Sequence, residues 1–277
     1  MAQETVGMVG PGRMGYAMLK HLIAAGFPVT VTDIDPDMVK RAEEAGAASA
    51  DGAAALGKAT DFVIIAVGFD DEALAVTLGP GGLLETLKPG SVIAVSSTVA
   101  PETVQRIEAE AAKKGVEVLD APICRGGWAA DEGTLLALFG ATDEVAKRAR
   151  PVYAPFCSDI VHVGRVGHGQ VAKTMNNMLL WVNGIALIEA GRLAAATGID
   201  LPKLREALLI SSGKSAALED WDMITFTWAL KDMQIVSRMA DAAGITMPVA
   251  GAIKELVKDG KALKQSGKAP DWTGKRK

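Results

Sequence analysis

The run Gly10-Pro11-Gly12-Arg13-Met14-Gly15 sets three glycines at the spacing G-x-G-x-x-G, directly after a β-branched segment, Thr5–Val9, and directly before an amphipathic stretch, Met14–Ala25. Between a strand and a helix each glycine has a separate task. The first permits a tight turn, the second lets a pyrophosphate approach the backbone, and the third lets helix and strand pack closely. The free amides at the helix start then face the anion, with the positive end of the helix dipole behind them. The motif predicts a dinucleotide held at Gly10, Gly12, Arg13, Met14 and Gly15. Some twenty residues on, Asp33 ends the next β-branched run. A carboxylate there accepts from both hydroxyls of a ribose and repels a 2′-phosphate, whereas a phosphorylated ribose calls for Arg or Lys just after the strand. The sequence has Ile34 and Asp35 there instead. NAD is therefore expected in preference to NADP, with Val67, at the end of the run Phe62–Val67, on the same cofactor side.

Other chemistries find little support. Cys124 and Cys157 are the only cysteines, and neither has a CxxC or CxH neighbour, so neither a disulfide framework nor a metal site is expected. Asp70, Asp71 and Glu72 read as the first turn of a helix, His162 as a strand-end residue and His168 as a helix-start residue. With 29 Lys+Arg against 33 Asp+Glu and a net charge of −4, the chain has no basic field for nucleic acid. The continuous apolar runs Phe62–Val67 and Met178–Val182 are far shorter than the roughly 20 residues that cross a bilayer, so no membrane partner is expected. The opening MAQETVGMVG has no basic, apolar leader pattern, which reads as cytoplasmic. The basic tail from Lys268 to Lys277 reads as a frayed terminus.

The elements that must position these groups alternate up to about residue 163. Strand-like runs at Thr5–Val9, Val29–Asp33, Phe62–Val67, Val92–Val95, Val116–Leu119, Leu135–Phe139 and Ile160–Val163 are interleaved with helical patterns at Met14–Ala25, Pro36–Ala45, Pro101–Lys114 and Asp143–Tyr153. This is the signature of βαβ units, and the apolar continuity of several runs fits parallel strands covered on both faces. After Gly169 the period changes to three and four. Val171, Met175, Met178, Leu179, Val182 and Ile185 predict one long helix, about Gly169 to Thr197, followed by helices over Pro202–Ile210, Phe226–Ala243 and Pro248–Gly260. The fold expected is α/β: a Rossmann-type doubly wound parallel sheet over 1–164, with an all-α substrate or oligomerisation domain over 165–277, joined by the long helix.

The opening MVGPGRMGYAMLKHLIAAGFPVTVTDIDP resembles that of the β-hydroxyacid dehydrogenases, the family of 3-hydroxyisobutyrate and tartronate-semialdehyde reductases. Four further segments are similar in the same order: SSTVAP (Ser96–Pro101), DAPICRGGWAADEGTL (Asp120–Leu135), GHGQVAKTMNN (Gly167–Asn177) and FTWALKDMQ (Phe226–Gln234). The resemblance implies an NAD(P)-dependent oxidoreductase interconverting a small anionic 3-hydroxy acid and its semialdehyde. It further implies that Lys173 is the catalytic acid/base, that Asn177 helps hold the substrate, and that Thr98 and Lys231 approach the nicotinamide. Helical spacing agrees, because Lys173 and Asn177 stand at i and i+4 and Trp181 continues their stripe. A homo-oligomer, dimer or tetramer, is the partner expected.

The substrate segment departs from the family pattern Asp-Ala-Pro-Val-Ser-Gly-Gly, since the same register here reads Ile123, Cys124, Arg125, Gly126. A thiol donates weakly compared with a hydroxyl, and a guanidinium offers a carboxylate or sulfonate two parallel donors. Arg125 is thus expected to anchor the substrate anion together with Cys124 and Gly126. An arginine at this register resembles the sulfolactaldehyde reductases, so a sulfonated or otherwise strongly anionic aldehyde competes with a plain carboxylate as substrate. Lys173 argues against two further functions open to this fold, that of an imine reductase and that of a non-catalytic NAD-binding protein. Trp181, on the face of Lys173 and Asn177, is expected to wall the substrate site; of Trp128, Trp181, Trp221 and Trp228, which lie in or near these segments, some can line an apolar pocket, with core packing the better expectation for any one.

Overall fold

A computed structural model describes residues 3–275. The chain divides into two compact units, Met1–Lys173 and Thr174–Lys277. The first holds nine strands: β1 Val6–Val9, β2 Val29–Thr32, β3 Ala48–Ser49, β4 Phe62–Ile65, β5 Val92–Val95, β6 Glu117–Asp120, β7 Ile123–Cys124, β8 Leu135–Gly140 and β9 Cys157–Gly164. Its helices are α1 Arg13–Ala24, α2 Pro36–Glu44, α3 Gly52–Ala59, α4 Asp70–Leu78, α5 Pro101–Ala112, α6 Gly126–Asp131 and α7 Asp143–Tyr153. The strands run in the order β3-β2-β1-β4-β5-β6, all parallel, and continue antiparallel into β8 and β7, with β9 parallel to β8. This is the doubly wound order in which a dinucleotide lies across the carboxyl ends of the strands where the winding reverses, beside β1 and β4.

Side-chain alternation explains why both faces are covered. Phe62, Ile64, Val92 and Ala94 join one core with Met18, Leu19 and Leu22 of α1, while Val63, Ile65, Ile93 and Val95 join another with Val104, Ile107 and Ala111 of α5. A strand apolar on both faces is stable only between two helical layers, which is what the continuous runs demanded. The two-residue strands β3 and β7 and the helices α3 and α6 are additions that propensity alone does not show.

The second unit contains no strand among its described residues. It is built on α8 His168–Ala196, followed by α9 Leu201–Leu209, α10 Ala216–Glu219, α11 Ala229–Ala243 and α12 Pro248–Gln265. Its core gathers Trp181, Ile185 and Ile188 of α8 with Leu218, Trp221, Phe226, Met233 and Trp272. The division between the two compact units falls inside α8, whose first turns belong to the sheet unit through the hydrogen bonds of Asp120 and Gln170 described below. By length and composition α8 is apolar enough to cross a membrane, which the short continuous apolar runs of the sequence do not show. Its buried Trp181, Ile185 and Ile188 lie instead in a protein core.

The tail is not frayed over its described part. Trp272 is fully buried, donates its indole N–H to the Leu187 carbonyl at 3.1 Å, and packs with Pro270 where Gly191 of α8 leaves no room for a Cβ. Arg276 and Lys277 lie outside the described residues.

Candidate active site

The three glycines of the loop differ in their surroundings. Gly10 has φ +85°, and a Cβ there would lie 2.8 Å from the Ala66 carbonyl oxygen and 3.3 Å from Val67 Cγ1. Gly15 faces back on the turn, where a Cβ would meet the Gly10 carbonyl at 2.3 Å. Gly12 has nothing within 4 Å of its Cβ position. One glycine thus makes the turn, one allows close packing and one leaves open space at the start of α1. That helix start has no side-chain cap and no acidic residue in its first turn, so its amides suit a pyrophosphate. Met14 is half-buried against the core. The side chain of Arg13 forms a two-pronged ion pair with Asp131 of α6, at 2.9 and 2.5 Å, and donates to the Gly127 carbonyl. Asp33 is half-buried at the end of β2 and accepts from the Asp35 amide, while Asp35 caps α2 by accepting from Asp37. A dinucleotide therefore fits the residues present, with Asp33 beside the end of β2 for its ribose.

The Ser96-Ser97-Thr98-Val99-Ala100 segment leaves β5 and is pinned at several points. Gln170, fully buried near the start of α8, donates its amide to the Ser97 carbonyl at 2.8 Å and accepts from the Val99 amide at 3.1 Å. Asp70, at the first position of α4, accepts from the Ala100 amide and the Thr103 hydroxyl. Ser96 pairs with the buried Tyr153 hydroxyl at 2.7 Å, and burial holds that phenol in its neutral form, its pKa raised. Thr98 remains half-exposed within this frame.

Asp120 ends β6, fully buried, and its two carboxylate oxygens accept from the amides of Gly167 and Gln170 at 2.8 and 2.7 Å. The carboxylate sits where an acid is favourable, against the amino end of α8. A Cβ at Gly169 would come within 2.7 Å of it, so the glycine is required for the approach. Burial is the largest influence on this group and raises its pKa from 3.8 to about 6, against the lowering effect of the surrounding backbone amides, Gly167 and Gln170 first. The folded state therefore holds the proton more tightly than the unfolded chain. Stability from this group is fully present below about pH 4 and is lost as pH rises to about 6, by roughly 3 kcal/mol at 1.36 kcal/mol per pKa unit. Denaturant unfolding of the natural chain and Asp120→Asn at pH 4.5 and 7.5 checks this. The advantage of the natural chain over the variant should shrink toward neutral pH.

One turn beyond Gln170, Lys173 is 9% exposed and its Nζ lies 3.7 Å from Sγ of Cys124, itself 4% exposed at the end of β7. The two residues are 49 positions apart in sequence, yet the fold brings them together in one unit. The next residue, Thr174, has a buried hydroxyl without a hydrogen-bond partner among the described residues.

Within the second unit, Asn177 and Trp181 share one acceptor. Asn177 Nδ2 and Trp181 Nε1 donate to the same carboxylate oxygen of buried Asp232 in α11, at 2.9 and 2.8 Å, and Asn177 Oδ1 accepts from Asn176. The amide of Asn177 is thereby fixed with a second N–H left over. Lys231 lies 5.6 Å from the centre of the Trp228 ring. Beneath Trp181 packs Phe226, ring centres 5.5 Å apart, held at φ +58°. Gly184 and Gly260 make room for that ring, with Cβ positions 3.0 and 2.9 Å from its carbons. Of the tryptophans, Trp181 and Trp221 are buried, but Trp128 and Trp228 are 66% and 51% exposed and contradict the core-packing expectation.

Arg125 has partners within the chain. Its Nη1 donates to the Thr134 carbonyl and Ser158 Oγ and lies 2.7 Å from the Asp159 carboxylate, which the arginine's hydrogen bond holds below the usual carboxylate range. Its charge is met at the β8–β9 edge by Asp159, with both side chains partly exposed. Its backbone has φ +84°, as Gly126 has φ +75°. That left-handed region costs a non-glycine residue about 1–2 kcal/mol, and a solvent-screened surface ion pair offsets little of it. Arg125→Gly is expected to raise the melting temperature by about 1–4 °C and to leave the KM of a carboxylate substrate within threefold, measured by calorimetry and steady-state kinetics.

Asp120, Gln170, Asp70 and Asp232 hold the segments of the candidate site in place, and sequence does not mark them out. Asp120 and Gln170 lie inside the family-like segments, but nothing in their spacing shows that one caps the helix that carries the other. His162, in β9, donates its Nε2–H to the carbonyls of Ala141 and Gly164, and His168 starts α8. Among the described residues no group of three or more His, Cys, Asp or Glu side chains is arranged to hold a metal ion.

Comparison with known proteins agrees with this architecture. The family profile described as the NAD-binding domain of 6-phosphogluconate dehydrogenase matches residues 5–164, and that described as the NAD-binding domain of NADP-dependent 3-hydroxyisobutyrate dehydrogenase matches residues 167–273. Mitochondrial 3-hydroxyisobutyrate dehydrogenase of Mus musculus is 35% identical over 215 residues, 77% of this chain and 64% of that enzyme. The chain thus spans just under two thirds of that relative's length. NAD-dependent L-serine dehydrogenase of Pseudomonas aeruginosa is 35% identical over 216 residues, 78% of this chain and 72% of that protein. The structure of Mycobacterium tuberculosis 3-hydroxyisobutyrate dehydrogenase with L-serine superposes with a TM-score of 0.86 at 26% identity, covering 97% of this chain and all of that one.

Proposed function

The chain belongs to the β-hydroxyacid dehydrogenase family, and on that premise we propose that it interconverts a small 3-hydroxy acid and the corresponding aldehyde acid, with NAD as the preferred nicotinamide cofactor. The observation that carries this reading is the buried amine of Lys173, on a helix whose first turn is tied by Asp120 and Gln170 to the carboxyl ends of β5 and β6, the same end of the sheet from which the glycine loop leaves β1. When bound, the nicotinamide cofactor supplies or accepts the hydride. Lys173 handles the proton. As an ammonium it donates a hydrogen bond and then the proton to the carbonyl oxygen in reduction; as the neutral amine it takes the hydroxyl proton in oxidation. Asn177, its amide fixed by Asp232, has an N–H for a substrate oxygen. The glycine loop and α1 amides hold the pyrophosphate, and Asp33 takes the ribose hydroxyls and disfavours a 2′-phosphate.

A carboxylate is the anion we favour over a sulfonate, because Arg125 already has its charge met by Asp159. Activity of the purified chain with NAD and NADP on 3-hydroxyisobutyrate, serine, glycerate, 4-hydroxybutyrate and sulfonated analogues tests the reading. Turnover of a carboxylate substrate at least tenfold faster with NAD is expected. No turnover of any hydroxy acid with either cofactor overturns it.

A further inference from the structure

Two free cysteines are buried in the sheet unit, and their surroundings differ. Cys157, in β9, has its thiol pushed up to about 12 by burial, so it stays protonated and inert. Cys124 lies 3.7 Å from Nζ of Lys173. A soft nucleophile thus stands beside the amine to which the proposed function assigns the carbonyl oxygen, in a spot where water reaches neither group freely, both being under 10% exposed. An amine that can both take a proton from a neighbour and give one to an oxygen is the arrangement that activates a thiol for addition to a carbonyl.

We propose that Cys124 adds reversibly to the aldehyde carbon bound at Lys173 and holds the aldehyde as a hemithioacetal, a covalent resting form of this site. The inference rests on the reading that the site handles an aldehyde. In the addition the sulfur–carbon bond forms as the carbon–oxygen π bond breaks. Lys173, as the neutral amine, takes the thiol proton and delivers it to the oxygen that becomes the hydroxyl, so no oxidant or reductant is needed. Reversal returns thiol and aldehyde unchanged. Exclusion of water favours the thiol over hydration of the same carbonyl, and a reactive aldehyde is retained between hydride steps.

The test uses the full chain saturated with NAD and an aldehyde labelled with 13C at its carbonyl carbon, first glyoxylate and then any aldehyde acid the substrate panel identifies. A protein-bound carbon resonance for one oxygen and one sulfur neighbour is expected. It should fall at least tenfold in Cys124→Ser and in Lys173→Ala and persist in Cys157→Ser. Absence of the signal with both aldehydes, or its survival in Cys124→Ser, overturns the inference. Hydride transfer without an adduct removes this inference alone, whereas an adduct without hydride transfer removes the dehydrogenase reading and upholds the thiol's reactivity.

Discussion

Lys173→Ala is expected to lower turnover by about 10²–10⁴-fold in both directions, with dinucleotide affinity changed by less than twofold. Proton transfer by a positioned side chain contributes about that range. The geometry favours its upper part, since the side chain beside Nζ is a thiol, a poor substitute donor. The glycine loop and Asp33 lie on β1, α1 and β2, not on α8, so cofactor binding has no reason to weaken. Lys173→Arg should not rescue, because a guanidinium cannot give up its proton near neutral pH and is wider than an ammonium. Single-turnover kinetics with saturating cofactor, set beside dinucleotide titration by fluorescence, makes the measurement. Turnover within tenfold of the natural chain would remove the amine from the chemistry.

The second large effect separates two glycines three residues apart. In Gly15→Ala the new Cβ would lie 2.3 Å from the Gly10 carbonyl oxygen, and a backbone atom cannot step aside cheaply. Overpacking of this kind costs about 1–3 kcal/mol, and more when a helix must shift, so the melting temperature should fall by roughly 3–10 °C. In Gly12→Ala the Cβ enters open space, so the melting temperature should hold within about 2 °C. There the loss falls on the ligand: the methyl takes the space through which a pyrophosphate approaches, and the dissociation constant of NAD is expected to rise at least tenfold. Equal thermal losses in both variants would contradict the division of labour assigned to the loop.

Much of the architecture is legible because its signals are local. The G-x-G-x-x-G spacing, the doubly apolar strands and the change of period after Gly169 each follow from the chain's immediate neighbours, and β1, β2, β4, β5, α1, α2, α5 and α8 lie where those patterns point. What stays hidden depends on distant partners. The charge of Arg125 points to an anion, and nothing nearby in sequence announces that Asp159, 34 positions on, meets it across β8 and β9. Asp120 and Asp232 look like ordinary acids until the fold buries each against groups that donate to it. Trp128 and Trp228 run against expectation because size alone argues for burial, whereas a short helix and a helix start leave them exposed.

The ring of Phe226, seated in the gaps left by Gly184 and Gly260, limits the order in which substitutions can accumulate in the helical unit. Neither glycine acquires a side chain without the phenyl group giving way, yet a smaller residue at 226 relieves both at once and removes the support under Trp181. Lineages that keep the aromatic inherit two frozen positions. Those that lose it gain mutational freedom and must find another floor for the indole, so the three sites should change together or not at all.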